Sequence, residues 1–525
     1  MRKPSLGRRL KAAIRAITGA AFTGASSVFQ AAGGGNVYGD WIAPILYPDD
    51  ISKWSPQKIR GRCQDLARNN AFVRCWLNLM SNNVVGHAGF VLQSNVMNGS
   101  GDSATPAEMI NKKIEMGWAE WSGVVTVDGR QTLAEFLRCE VENRKRDGET
   151  FTRLHRNFPH NRFGFALEPI DPGLVAEEYS DVLRNGNIIT AGVERDGIYG
   201  RRVSYHIWNQ PPNTGRNRKR ESIPADQIIH VLNAERPNQQ RGYSPLVACA
   251  NDLKTLDRYF ENELVASAIA AAKGGFFVND DPNAPVGEVT TNPDGSVTKP
   301  VPTTMEANPG VAEALAPGWK FQEWDPKHPA LAFASFIKAV GRKISSALGV
   351  PYNVLFSDWE SISWSSMRSA ELNAREIYRT EQQKISDQLL YPIFGEWLSI
   401  SLLKSALVLD NRPFERFLEC EFIPRGWSWV DPQKDIDAAV TAIQNGLGCE
   451  IDVVAEQGQE LEDVYKKLAR ARALRAKYGI PEPAGITPKA AAPDNQGAAV
   501  DATAQGAGVN GNGRNRIAAL NGGTY

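Results

Sequence analysis

The spacing of apolar residues changes character several times along this chain. From Ile59 to Val85 the apolar positions Leu66, Val73, Leu77, Met80 and Val84 recur at helical spacing. Asn69-Asn70 splits this stretch into two helices, and Gly86 stops the second. Pro106 to Trp121 reads as another helix, with Ile110, Ile114 and Trp118 on one face, and Leu133 to Arg146 as a third, ending at Asp147-Gly148-Glu149. The period then becomes alternating. Thr150–Arg156, Phe165–Ile170, Ile188–Val193, Val203–Trp208 and Gln227–Leu232 read as strands, separated by turn clusters at Arg195-Asp196-Gly197 and Asn209 to Gly215. Helices followed by an antiparallel sheet predict an α+β domain.

Helical spacing returns from Ser244 to Lys273, with Leu246, Ala250, Leu253, Leu256, Phe260, Leu264 and Ala268 on one stripe. Residues 279–317 are rich in Pro, Gly, Thr and Asn, and two strand-like pieces, Gly275–Val278 and Lys320–Trp324, bound them. Ala330–Leu348 is a helix with Phe333, Phe336, Ile337, Val340 and Ile344 on its apolar face. Ser335, Lys338, Arg342 and Ser345 form a polar stripe beside it. Gly349 and Pro351 end that helix, and an irregular segment rich in aromatic residues and serine follows. Met367–Leu403 is a long helix in which Pro392 should produce a kink, at a cost of ~3 kcal/mol unless packing compensates. Leu407–Ile423 reads as strand-like alternation. Asp431 and Pro432 then open a helical coda as N-cap and first helical residue, and Gly446, Gly458 and Gly479 divide it into three helices. Order is expected to begin near Val37, and the Ala/Gly/Asn-rich stretch beyond Pro481 to be disordered.

Composition narrows the function. The 525 residues contain 59 Lys plus Arg and 59 Asp plus Glu, so the whole chain exerts no long-range pull on nucleic acid or membrane. No apolar run approaches the roughly 20 residues of a membrane-spanning helix. The longest candidate is Leu264–Ala272, and no membrane role is expected. Six cysteines (63, 75, 139, 249, 420 and 449) form no CxxC pair, which suits free thiols in a reducing compartment. Residues Arg2, Lys3, Arg8, Arg9, Lys11 and Arg15 make the N-terminus a solvated basic tail or a contact for an acidic partner.

Catalytic motifs are missing from the sequence: there is no GxxxxGK[ST], GxSxG, HExxH or DxD. His155 and His160 flank a turn with no sequence-adjacent ligand to complete a metal shell. Asp147 and Glu149 around Gly148 read as a turn rather than an acid/base pair. No enzyme, metal or cofactor is expected. Arg216, Arg218, Lys219 and Arg220 form a basic loop, either solvated or in contact with nucleic acid. The helix Ala330–Leu348 suits either a channel wall or an ordinary surface.

Several ordered blocks together resemble a lambda-type portal protein of tailed bacteriophages, over about Arg60 to Leu474. They are Asp65 to Asn70 with Asn83 to Gly86; Asp147-Gly148-Glu149 followed by Phe151; Ile223-Pro224 with Ile229-His230; and Arg236-Pro237 with Gln240 to Gly242. Further along come Leu348 to Tyr352, Ser365-Ser366 with Arg368, and Trp427 to Pro432. The resemblance implies a portal-type α+β fold. A basic tail (1–36) would precede a wing of helices plus antiparallel sheet (37–243). Two stem helices (244–273 and 330–348) would enclose a clip (274–329). A tunnel-loop region (349–368) would be followed by a long helix returning to the wing (369–430), an α-helical crown (431–480) and a tail (481–525).

The resemblance further implies a non-enzymatic ring of twelve subunits at one capsid vertex, through which double-stranded DNA is packaged and ejected. Terminase large subunit and a head-completion or adaptor protein would dock on it, and major capsid and scaffold proteins would surround it. Its place would be the virion, after assembly in the host cytoplasm. Ser335, Lys338, Arg342, Ser345, Trp359, Trp364, Ser365 and Arg368 would line the DNA channel. A near-neutral chain fits such a conduit, because each phosphate neutralised adds salt-dependent affinity that would stall sliding. The alternative from another class is a capsid-associated maturation hydrolase or protease, for which the sequence offers no nucleophile–base pair.

Overall fold

A computed structural model describes residues 47–48, 56–99, 105–211, 218–271, 275–279, 290–291, 293–298, 319–323, 333–360, 362–427 and 432–481. The chain divides into two units, Met1–Leu461 and Glu462–Tyr525. The expectations for the N-terminal tail, the C-terminal tail, Arg216 and the Asp431 cap lie outside the described residues.

The first unit opens with α1 (Pro56–Asn69) and α2 (Ala71–Val84). The break between them is a capping event. Asn70 is extended, and its side-chain oxygen accepts from the Val73 amide at 2.9 Å. Leu66, Val73, Leu77, Met80 and Val84 are all buried, as their spacing predicts. Strand β1 (Val91–Ser94) follows, then the paired two-residue strands β2 (Met97–Asn98) and β3 (Thr105–Pro106). Helix α3 therefore starts at Glu108 rather than Pro106, and runs to Trp121. Helix α4 (Leu133–Asp147) carries a capping box in which Thr132 and Glu135 satisfy each other's backbone amides.

Beyond α4 lie β4 (Glu149–Arg156), β5 (Phe165–Ile170), β6 (Asp181–Val182), β7 (Ile188–Thr190), β8 (Val193–Arg195), β9 (Arg202–Trp208), β10 (Arg220–Pro224) and β11 (Ile228–Leu232). They form two antiparallel sheets, in the orders β11-β4-β5 and β10-β9-β8-β7-β6. Two expectations are corrected here. Ile188–Val193 is a tight hairpin rather than one strand, because Ala191 and Gly192 both take positive φ (47° and 81°). The basic loop shortens, since Arg220 lies in β10. Arg218 and Arg220 stack over Trp208 and Tyr179 at 4.0 and 3.6 Å.

Helix α5 spans Ala250–Ala271. It does not begin at Ser244, whose hydroxyl instead caps a short 3₁₀ turn, Pro245–Ala248. Leu246, Leu253 and Leu256 are buried, but Leu264 is 71% exposed and Val265 59%. Beyond Phe260 the predicted core stripe is therefore exposed, at Leu264 and Ala268. Strands β12 (Gly275–Asn279) and β15 (Trp319–Glu323) pair antiparallel, and β13 (Thr290–Thr291) pairs with β14 (Val297–Thr298). Helix α6 is Phe333–Leu348; its predicted start at Ala330 is outside the described residues.

The segment expected to be irregular contains a short helix, α7 (Tyr352–Phe356). Helix α8 (Trp364–Ile385) starts three residues before the predicted Met367, because Ser363 caps it through the Ser366 amide. It runs into a π turn, Ser386–Leu390, and then α9 (Tyr391–Leu403). The Tyr391 amide reaches back five residues to Ser386, and this widened turn accommodates the missing donor and ring of Pro392. Leu407–Ile423 is mainly not strand. It contains a 3₁₀ turn (Phe414–Leu418) and only β16 (Cys420–Ile423), which pairs antiparallel with β1. Helices α10 (Pro432–Gln444) and α11 (Glu450–Glu456) complete the first unit.

Trp76, Trp118, Trp121, Phe136, Phe394 and Trp397 anchor the main core; a smaller one gathers Phe151, Tyr205, Ile207 and Ile228. In the second unit the described structure is helix α12 (Leu461–Tyr478), none of whose residues is buried. No helix among the described residues is long and apolar enough to cross a membrane, and all six cysteines are free.

Candidate nucleic-acid interface

The sequence places its candidate channel residues on α6, on the loop after it and at the start of α8. Helices α5 and α6 pack through stacked rings. Tyr259 lies 5.6 Å from Phe333 and 5.3 Å from Phe336, and Phe260 lies 5.9 Å from Phe333. Gly341 lets α7 approach α6 closely, since a Cβ there would sit 2.6 Å from the Tyr352 ring. Phe356 stacks between Tyr352 (5.1 Å) and Phe72 of α2 (4.3 Å). The Trp76 indole donates to the Leu348 carbonyl at 3.3 Å. The base of the loop is thus tied to the main core.

Above that base the polar residues meet one another. Lys338 lies 3.2 Å from Asp358 and 3.6 Å from Glu360. The Tyr352 hydroxyl donates to the same Asp358 carboxylate at 3.0 Å. The hydrogen bond from Lys338 is the main reason the Asp358 carboxyl titrates below its usual range. Partial burial, followed by the adjoining Asp358 carboxylate, pushes the Tyr352 phenol up to about 12. Ser357 holds the turn between α7 and this contact in left-handed backbone, φ 52°.

Not every predicted residue reaches the surface. Ser335 is exposed, and Arg342 is exposed with its guanidinium 5.9 Å from the Tyr352 ring centre. Trp359 and Trp364 are 57% and 58% exposed, and Ser365 is exposed with its hydroxyl 3.2 Å from that of Ser363. Arg368 is half-buried and donates to Asp435 at 2.8 Å. Ser345 is a correction: it is 3% exposed, because the polar stripe passes under the close contact of α6 with its neighbours. Phe336, assigned to the packed face, is half exposed. Lys343, absent from the predicted set, pairs with Asp252 of α5 at 2.8 Å. The basic positions are therefore largely offset by acids that are distant in sequence, which no local pattern announces.

A second cluster collects blocks that the sequence presented separately. Glu149 is wholly buried; Arg241 donates to it at 2.6, 2.8 and 3.1 Å, and the Gly242 amide at 2.9 Å. His230 Nε2 lies 3.1 Å from it, and Arg60 bridges Glu149 to Glu177. Burial raises the Glu149 carboxyl, but Arg241 and His230 outweigh that, and the group titrates well below its usual range. Burial lowers the His230 imidazole to about 4 despite its Glu149 partner. The turn reading of Asp147-Gly148-Glu149 is correct only for Gly148 (φ 93°), where an added Cβ would run into the Tyr243 backbone. Glu149 itself is an internal tie between β4 and the segment after β11. His155, expected to lack a carboxylate, faces Glu168 across β4–β5 at 2.6 Å. Among the described residues no three His, Cys, Asp or Glu side chains converge as a metal shell.

The described residues thus combine an α+β body with long helices, exposed Leu264 and Val265 on α5, and Lys338 and Lys343 of α6 paired with carboxylates. Residues 35–382 match the family described as phage portal protein, lambda family. A probable portal protein of Halomonas phage phiHAP-1 is 32% identical over 451 residues, covering 84% of each chain. Portal protein B of Escherichia phage lambda is 21% identical over 489 residues, covering 86% of this chain and 91% of that one. Among solved structures, the neck of a native gene transfer agent particle shares 12% identity at a TM-score of 0.42, covering 76% of this chain and 92% of that one. The chain belongs to the lambda family of phage portal proteins. The comparisons support that reading and not a maturation hydrolase. The family is a structural one.

Proposed function

We propose that this chain forms a closed ring of about a dozen copies, because heterologous interfaces in a cyclic assembly must close on themselves. Duplex DNA passes through the ring during packaging and ejection. In this reading residues 37–243 with 369–430 form the wing, α5 and α6 the stem, 274–329 the clip, 349–368 the tunnel-loop region, and 431–480 the crown. Terminase large subunit and a head-completion protein dock at the clip, major capsid and scaffold proteins surround the wing, and assembly takes place in the host cytoplasm. The observation that carries the reading is the pairing of Lys338 with Asp358 and Glu360, and of Lys343 with Asp252, on the candidate inner helix. A wall on which two of three cations, Lys338 and Lys343, are already offset guides a polyanion without gripping it. Leu264 and Val265 of α5 supply apolar surface for a neighbouring copy.

Native mass spectrometry of the purified chain, with negative-stain imaging, tests this. The expected result is a closed ring of about a dozen subunits with an axial opening. A chain that stays monomeric at every concentration and salt, or a ring with α6 facing outward, would overturn it.

A further inference from the structure

The helix whose cations most outnumber its own acids is α12, not α6. Beyond Asp463 this helix carries Lys466, Lys467, Arg470, Arg472, Arg475 and Lys477 and no acid. Its only acids, Glu462 and Asp463, sit in the first turn, and both face Lys466, at 2.7 and 3.7 Å. On α6 and α8, by contrast, Lys338, Lys343 and Arg368 each meet a carboxylate from elsewhere in the chain.

Two ordinary explanations cover part of the pattern. Cations in the last turn favour the helix dipole, which accounts for Arg475 and Lys477. A pair at i, i+4 adds a few tenths of a kcal/mol, which accounts for Lys466. Neither accounts for Arg470, and Lys467, although four residues after Asp463, leaves that carboxylate to Lys466 at 3.7 Å. At about 100° per residue, Lys466, Arg470 and Lys477 fall along one line of the helix, with Lys467 beside it. Each repeat of this row in an oligomer adds to a local positive field that the neutral whole-chain charge conceals.

We propose that α12 is a polyanion-binding surface that contacts the phosphate backbone of duplex DNA without reading its sequence. This rests on the portal reading, which brings the duplex to the protein, and adds a contact site apart from the α6 face. Backbone binding of this kind needs only exposed Lys and Arg at intervals on a rigid rod. The helix supplies that, with no described residue buried and hence no core role for its cations.

The test uses the full-length protein and a short mixed-sequence duplex, with affinity followed by fluorescence anisotropy across a salt series. The variant K466Q/K467Q/R470Q/K477Q, which removes the row, is compared with R62Q/K112Q/R130Q/R184Q, which removes four exposed cations elsewhere in the chain. The α12 variant should bind about tenfold or more weakly, and its log–log salt slope should shrink by up to about 3.6, at ~0.9 for each of the four phosphates no longer neutralised. The control variant should keep most of the wild-type slope. Equal losses in both variants, or none in the α12 variant, overturn the proposal. Loss of retention on a polyglutamate resin by the α12 variant, with DNA binding unchanged, also overturns it and assigns the surface to an acidic protein. Imaging of the same samples separates the two ideas: rings whose DNA binding ignores α12 sink this inference alone, whereas absence of rings sinks the portal reading.

Discussion

Arg241 and Glu149 show how far apart in sequence the deciding contacts of this protein lie. Both are essentially inaccessible, and the guanidinium satisfies the carboxylate through two nitrogens while also donating to the Ala191 carbonyl at 2.7 Å. Removing one partner strands the other as an unpaired buried charge, which costs far more than the pair contributes. Arg241→Ala should lower stability by about 3–5 kcal/mol in urea denaturation followed by circular dichroism. A loss under about 1 kcal/mol would mean that water or Arg60 takes over the carboxylate. Asp147-Gly148-Glu149, Ile229-His230 and Gln240 to Gly242 were each visible as sequence blocks. Their convergence was not, because a turn motif carries no information on which residue far along the chain will fill it.

At the scale of elements, the loop between α6 and α8 is a strap held by one cation. Asp358 joins Lys338 and Tyr352, and Ser357 places it there at the cost of left-handed backbone. Asp358→Asn removes the anion but keeps the shape, so Lys338 gains freedom to meet a phosphate. DNA binding by the full-length variant should tighten by a few-fold at low salt, with a steeper salt slope than wild type. An unchanged slope would show that Lys338 does not face DNA. The existence of α6 and α8, and the stop of α6 at Gly349 and Pro351, was legible from period and composition; the Ser363 cap that starts α8 at Trp364 was not. Helix α7 was not, since five residues between a proline and a serine carry too little pattern to separate a helical turn from a loop.

For the whole molecule, the buried carboxylates and His230 set the response to acid. His230 titrates near 4 in the fold, against about 6.5 when unfolded. The unfolded chain therefore binds more protons between those values, and stability falls as pH drops through that window. Glu149 is depressed, and Glu381, raised by burial but held down by Arg144 and Lys145, titrates at about 2. Their stabilisation is present above the unfolded carboxylate pKa and is lost as pH falls below it. The thermal midpoint should fall from about pH 7 to about pH 5 and more steeply below about 4.5. His230→Gln should flatten the upper part of that decline; an unaltered profile would remove His230 from the account.

Periodicity, capping residues and composition determined most of the helices, the helix-then-sheet order, the neutral overall charge and the family, because each is written in local spacing or in ordered blocks. Tertiary structure alone decided which charges cancel. Lys338 finds Asp358, Lys343 finds Asp252, and Glu149 finds Arg241 only once the elements pack, whereas most cations of α12 sit beyond the reach of any acid on their own helix. Charge compensation depends on distances of a few ångströms across elements, and a linear sequence records the residues without the distances.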